Sequence, residues 1–291
     1  MNLITLSDRS VAAREPVLCL HSSTASGGQW RGLREALDDR YRVCAPDLYG
    51  YGDAPDWNGP GALQLADEVR RLERLITAAD SGVHLVGHSY GGAVALRAAL
   101  MHPGRVRSVT VYEPVLFGLL EQYRPGSAAL AEVWAVASSV LDRLGQGAAP
   151  AAAQAFVDYW SGPGSWTWLP AWQQDAITRR IGKTAHDFTA AFADPMTLDD
   201  LARLPMPLLC LHGGNAPLAT RTICHLLADS GFVSRRIERA GHLGPLTHGV
   251  AVNREIEAFL DAAVPPARSV LAAARHAPAP ARTATTRGAT S

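Results

Sequence analysis

Leu85-Val86-Gly87-His88-Ser89-Tyr90-Gly91-Gly92 is the stretch on which the reading of this chain turns. A short strand-like run ends at Val86, Gly87-His88-Ser89-Tyr90-Gly91 fits the pattern G-x-S-x-G, and residues 93–101 continue as an almost wholly apolar helical segment. A sharp turn from strand into helix strains the backbone of the serine, and its neighbours must be small because strand and helix approach closely there. Such a turn lifts the Ser89 hydroxyl into the open. It also sets the Tyr90 amide at a helix N-terminus, where an N–H and the helix dipole can face a developing oxyanion. A glycine-rich turn with an incidental serine would carry the same letters, but the strand before it and the helix after it favour a nucleophile.

Outward from this turn, short apolar runs at residues 17–20, 42–45, 83–86 and 106–111 alternate with turns and helical patterns. Each run is too short for a helix and lacks in–out alternation, which predicts buried strands of a mostly parallel sheet with crossover helices, an α/β fold. Leu65, Val69, Leu72 and Ile76 recur at spacings of three and four among charged residues and mark an amphipathic helix on that sheet. From residue 115 to 195 helical segments (128–144, 150–160 and 172–192) follow one another without a strand. The strand rhythm returns at 207–211 and 233–237, with helices at 220–229 and 251–263. The expected organisation is therefore one domain, residues 1–114 and 196–264, interrupted by a helical insertion at 115–195. The tail, residues 265–291, is rich in Ala, Pro, Arg, Thr and Ser and is expected to be disordered apart from a short helix near 269–275.

The 291 residues carry 27 Lys+Arg against 27 Asp+Glu, so nothing in the charge recommends nucleic acid or an anionic membrane surface as partner. A small, nearly neutral substrate fits better. Lys183 stands alone among arginines and reads as compositional bias without function. Cys19, Cys44, Cys210 and Cys224 lack C-x-x-C spacing and are expected to be reduced core residues. No apolar stretch approaches the ~20 residues needed to cross a bilayer, and no signal peptide is evident, so a cytoplasmic protein is expected.

With these residues in view, the chain from about Pro16 to Val264 resembles the α/β-hydrolase superfamily in its serine hydrolase form with a helical cap. His21-Ser22-Ser23 and Trp30, after the first strand, resemble the loop that donates the second oxyanion-hole amide; the resemblance assigns that amide to Ser23 and the first to Tyr90, with Ser22 standing where glycine is common. Asp47, in Ala45-Pro46-Asp47-Leu48-Tyr49-Gly50, matches an aspartate that is usually structural. Ala240-Gly241-His242 matches the loop of the catalytic histidine, with His248 as its rival. The loop that most often carries the acid is here Gly213-Gly214-Asn215-Ala216-Pro217, without a carboxylate, whereas Glu113 follows the preceding strand at a position some members use instead. The implied triad is Ser89, His242 and Glu113, and it needs no metal or cofactor. The aromatic cluster of the insertion suits either its own core or a substrate wall, and Trp160, Trp166 and Trp168, with Trp30, are expected to contact a largely apolar acyl group.

The leading expectation is hydrolysis of a small carboxylic ester through an acyl-enzyme. The same residues would serve carbon–carbon bond hydrolysis or acyl transfer, because fold and triad do not fix the substrate. A ligand-binding protein on the same fold is the competing class, supported by the carboxylate-free 213–217 loop. Oligomeric state and natural substrate are not legible.

Overall fold

The computed structural model of the protein describes residues 14–263; the expectations for the first residues and for the tail lie outside the described part. Six strands form one parallel sheet: β1 (Glu15–Leu20), β2 (Tyr41–Cys44), β3 (Val83–His88), β4 (Val106–Tyr112), β5 (Leu208–Gly213) and β6 (Val233–Ile237). Their spatial order is β2-β1-β3-β4-β5-β6. The chain therefore winds one way from β1 to β2, returns to place β3 on the other side of β1, and winds the opposite way to β6. The point of reversal, between β1 and β3, is where an open sheet of this kind leaves a crevice at the carboxyl ends of its strands.

Successive strand residues point to opposite faces, and the core divides accordingly. Leu18, Leu20, Leu85, Val109, Val111, Leu208 and Cys210 enter a large apolar cluster with α2 (Leu65–Thr77), α3 (Tyr90–Met101) and α9 (Leu218–Asp229). Val17, Cys19, Val86, Tyr112, Leu209 and Leu211 face the other way, against Leu33 and Leu37 of α1 (Arg31–Leu37) and Val252, Ile256 and Leu260 of α11 (Gly249–Ala263), which follows the one-turn α10 (Gly244–Thr247). Helix α2 buries Leu65, Val69, Leu72 and Ile76, as its spacing predicts, and starts where Asp67 Oδ2 reaches back to accept the Gln64 amide at 2.9 Å. Each fully buried leucine in these layers contributes about 1.5–3 kcal/mol.

Between β4 and β5, which pair directly, the chain makes five α-helices, one 3-10 turn (Ser165–Trp168) and no strand: α4 (Phe117–Tyr123), α5 (Ala128–Gly145), α6 (Ala149–Ser161), α7 (Ala171–Ala193) and α8 (Leu198–Ala202). The insertion thus interrupts a single sheet. Its apolar residues, among them Phe117, Val133, Phe156, Ile181 and Phe188, belong to the same large cluster as the sheet face below them. Cys19, Cys210 and Cys224 are buried as expected, but Cys44, at the end of the edge strand β2, is exposed. Among the described residues no helix is long and apolar enough to cross a membrane.

Candidate active site

Four loops at the carboxyl edge of the sheet meet around Ser89. Ser89 follows β3 with φ 55° and ψ −117°, the strained turn that the sequence pattern requires. Its glycine neighbours are sterically obligatory: a Cβ on Gly91 would run into the carbonyl oxygens of Leu20 and His21, and one on Gly87 into the carbonyl of Gly91. The serine backbone is pinned to the next strand by a bond from its N–H to Tyr112 O, 3.0 Å.

His242 brings Nε2 to 3.0 Å from Ser89 Oγ, and its Nδ1 lies 2.8 Å from Glu113 Oε2. Nδ1–H donates to the carboxylate, which leaves Nε2 as the acceptor for the serine proton. Glu113 is fully buried and accepts three bonds: Gly213 N–H on Oε1 at 2.9 Å, Thr220 Oγ1 on Oε2 at 2.9 Å, and the imidazole. The loop around Asn215 adds no group to the ring. Asn215 donates from Nδ2 to Arg239 O at 3.1 Å and from its amide to Ala240 O at 2.8 Å, bracing the segment that carries His242. His248 stands apart, its Nδ1 2.9 Å from Thr247 Oγ1.

Strain gathers at this edge. Among the described residues the non-glycine positions with positive φ are Thr24, Ser89, Glu113 and Arg239, one on each of the loops that carry Ser23, Ser89, Glu113 and His242. Such backbone persists only where the surroundings over-determine it.

Two neutral histidines tie the loops together. Burial lowers the His21 pKa to about 4; its Nδ1–H donates to Ser22 O at 2.7 Å and its Nε2 accepts from Leu48 N–H at 3.0 Å. His88 is pushed well below its ordinary value by burial and by His242 beside it. Its Nε2–H donates to the His242 carbonyl at 2.8 Å, and its Nδ1 accepts from Gln29 Nε2 at 3.1 Å. Gln29 Oε1 in turn accepts from the amide and hydroxyl of Ser22, at 3.1 and 3.0 Å. Ser22, where a glycine is more usual, is therefore held by its own hydroxyl, and the loop after β1 is linked through Gln29 and His88 to the histidine loop. The Ser23 and Tyr90 amides have no hydrogen-bond partner among the described residues.

A cavity of about 250 Å³ opens over Ser89 and His242, walled by Phe156, Val157, Trp160, Leu169, Ile177, Leu243 and Leu246, with Ser22, Ser23 and Gln173 as polar points. A smaller hollow continues inward between Ser89, Val115, Phe117, Phe156, Thr184 and Asp187. Of the four tryptophans expected here, Trp160 lines both hollows and stacks on His242, ring centroids 4.0 Å apart. The other three do not. Trp30 is buried in the core against α1 and α11; Trp166 packs on the main cluster; Trp168 is 87 % exposed. Lys183, read as compositional bias, is buried between Glu68 and Asp187.

A sequence profile described as the Alpha/beta hydrolase family matches residues 17–255. The chain belongs to this family. The hydrolase class comes with that membership; the substrate does not. A pimeloyl-[acyl-carrier protein] methyl ester esterase from Methylococcus capsulatus is 29 % identical over 263 residues, 84 % of this chain and 94 % of that protein. The lipase LipV of Mycobacterium tuberculosis is 35 % identical over 101 residues, 34 % of this chain and 37 % of that protein. Among solved structures, a thermophilic esterase from Thermogutta terrifontis superposes with a TM-score of 0.65 at 23 % identity, covering 86 % of this chain and 90 % of that one.

Proposed function

We propose that this hydrolase cleaves a small carboxylic ester with a largely apolar acyl group, through an acyl-enzyme on Ser89. The observation that carries the reading is the unbroken relay from Ser89 Oγ through His242 to the buried Glu113 carboxylate. As Ser89 Oγ attacks the ester carbonyl carbon, its proton passes to His242 Nε2, and Glu113 stabilises the imidazolium that forms. The oxyanion lies against the Ser23 and Tyr90 amides. Collapse breaks the bond to the alkoxy oxygen, which takes the proton from Nε2. Water then gives a proton to His242 as it attacks the acyl carbon; collapse breaks the bond to Ser89 Oγ, which takes that proton back from Nε2 as the acid leaves.

The helical insertion serves as a cap in this reading. Phe156, Trp160 and Ile177 supply an apolar wall above the serine, which suits an acyl chain better than a charged group. The name of the Methylococcus relative, a methyl ester esterase, points the same way. The ligand-binding alternative drew on the carboxylate-free 213–217 loop, and that support falls once Glu113 supplies the carboxylate from the neighbouring strand end. The four free cysteines suit a reducing cytoplasm. Short- and medium-chain aryl esters, followed by a serine-reactive phosphonate, test the proposal. Turnover and labelling are expected in the wild type and neither in Ser89→Ala; an unlabelled, inactive wild type would overturn it.

A further inference from the structure

Helix α7 carries an aspartate that reaches the loop after β1 from above. Asp187 is 4 % exposed, and each of its carboxylate oxygens is occupied. Oδ2 accepts from Ser23 Oγ at 2.6 Å and from Tyr51 OH at 2.5 Å, and Oδ1 pairs with Lys183. Lys183 is itself held 3.2 Å from the fully buried Glu68 and lies over the rings of Tyr51 and Tyr90. Glu68 accepts the Tyr49 amide at 3.1 Å. The insertion is thus anchored to the body of the protein by a buried charge network that faces the inner hollow through Asp187 and is bonded there to Ser23.

We propose that Asp187 is a positioning residue for the oxyanion hole, holding Ser23 so that its backbone N–H, and not its hydroxyl, faces the reacting carbonyl. This rests on the acyl-enzyme reading above. The serine hydroxyl has one proton, and donating it to Asp187 removes it as a competing donor and fixes the side-chain rotamer. A charge-assisted bond of this length is among the stronger ones available to a neutral donor. Ser23 is followed by Thr24 at φ 63°, a strained position that needs such restraint. An oxyanion donor acts only if it is aimed where charge develops, so loosening it affects the transition state more than the bound ester. Lys183 already balances the Asp187 charge, which limits its repulsion of the nearby oxyanion.

The test is a double-mutant cycle of Ser23→Ala, Asp187→Asn and the pair, read as kcat and KM on an aryl ester and as affinity for a trifluoromethyl ketone that forms a tetrahedral adduct. Ser23→Ala keeps the amide and is expected to lower kcat about tenfold with KM nearly unchanged, and to weaken the ketone by the same factor. Asp187→Asn is expected to act in the same sense, and the pair to be no worse than the more impaired single variant. Wild-type kcat and ketone affinity in Ser23→Ala, or losses that multiply in the pair, would overturn the proposal. Should Asp187→Asn fail to fold, Ser23→Ala alone still decides. A wild type without Ser89-dependent turnover would instead count against the acyl-enzyme itself.

Discussion

Glu113 and Asp187 are both buried carboxylates beside Ser89, but one belongs to the carboxyl edge of the sheet and the other to the helical insertion, and they are satisfied differently. Glu113 takes its bonds from a backbone amide, a threonine hydroxyl and an imidazole, with no resident Lys or Arg among the described residues. Asp187 takes two hydroxyls and already has an ammonium, Lys183. A carboxylate without a permanent counter-ion is available to a transient one, so Glu113 suits an imidazolium that comes and goes. Asp187, whose charge is already balanced, suits a fixed geometry. In the proposed mechanism the sheet edge supplies the moving proton and the insertion supplies the frame around it, and substitutions in the two regions should therefore differ in size and in kind.

The largest losses are expected at the sheet edge. His242→Ala should approach the ~10⁶ drop in kcat typical of losing a member of such a unit, while His248→Ala leaves most activity. Steady-state turnover of an aryl ester separates them, and the reverse ranking would move the base to His248. Next comes Glu113→Gln, expected to cost roughly 10²–10⁴ in kcat. The amide can present an N–H to Nδ1, favouring the tautomer that places the ring proton on Nε2, where it cannot accept from Ser89. Asn215→Ala should cost far less, since Asn215 braces the Arg239–Ala240 backbone and touches no part of the ring. Full activity in a well-folded Glu113→Gln protein would erase the contrast between the two carboxylates.

The two regions were also unequally legible in the sequence. Ser89, Ser23, Tyr90 and His242 sit in local patterns, because a strand-to-turn geometry constrains a few consecutive residues and leaves a trace in their spacing. Glu113 was reached through the family resemblance, which allows an acid after this strand, because the loop after β5 offers no carboxylate. Gln29, His88 and Asp187 left no such trace, because they act through contacts spanning from 59 residues, in Gln29 to His88, to 164, in Ser23 to Asp187; Lys183 has Asp187 four residues on along its own helix, but its other partner, Glu68, is 115 residues away. Tryptophan misled for a related reason. Its bulk serves a core, a wall or a surface equally well, so Trp30, Trp166 and Trp168 could not be told from Trp160 before their neighbours were known.

The histidine scaffold of the sheet edge gives a smaller effect, on stability. His21 has a folded pKa of about 4 against an ordinary 6.5, so between those values the unfolded chain binds more protons than the folded one. Stability from this group is fully present above pH 6.5 and declines as pH falls toward 4, by an amount on the order of 3 kcal/mol. His88, also held neutral by burial, adds a loss of the same sign. Thermal unfolding followed from pH 7 to pH 4 should show a falling Tm, with a shallower slope in His88→Gln than in the wild type. Equal slopes would mean that His88 is not kept neutral by the fold.

The smallest effect should come from the wall of the insertion. Trp160 covers His242 at 4.0 Å with its ring tilted 29°, and it lines both the outer cavity and the inner hollow. It moves no proton, so Trp160→Leu should leave the Ser89 to His242 bond in place and remove only packing on the imidazole and contact with the acyl chain. An aromatic pair contributes about 0.5–1.5 kcal/mol beyond its buried area, which corresponds to a loss of up to about tenfold in kcat/KM. The acyl share of that loss should grow along a series of esters of increasing chain length, because longer chains reach farther along the wall formed with Phe156 and Ile177. Trp168→Ser removes an indole that is 87 % exposed and should change neither kcat nor KM for any member of the series. If the two substitutions cost the same, or if the Trp160→Leu loss is flat with chain length, then the acyl chain does not lie under the insertion, and the division between a sheet edge that reacts and an insertion that frames would hold only for Asp187.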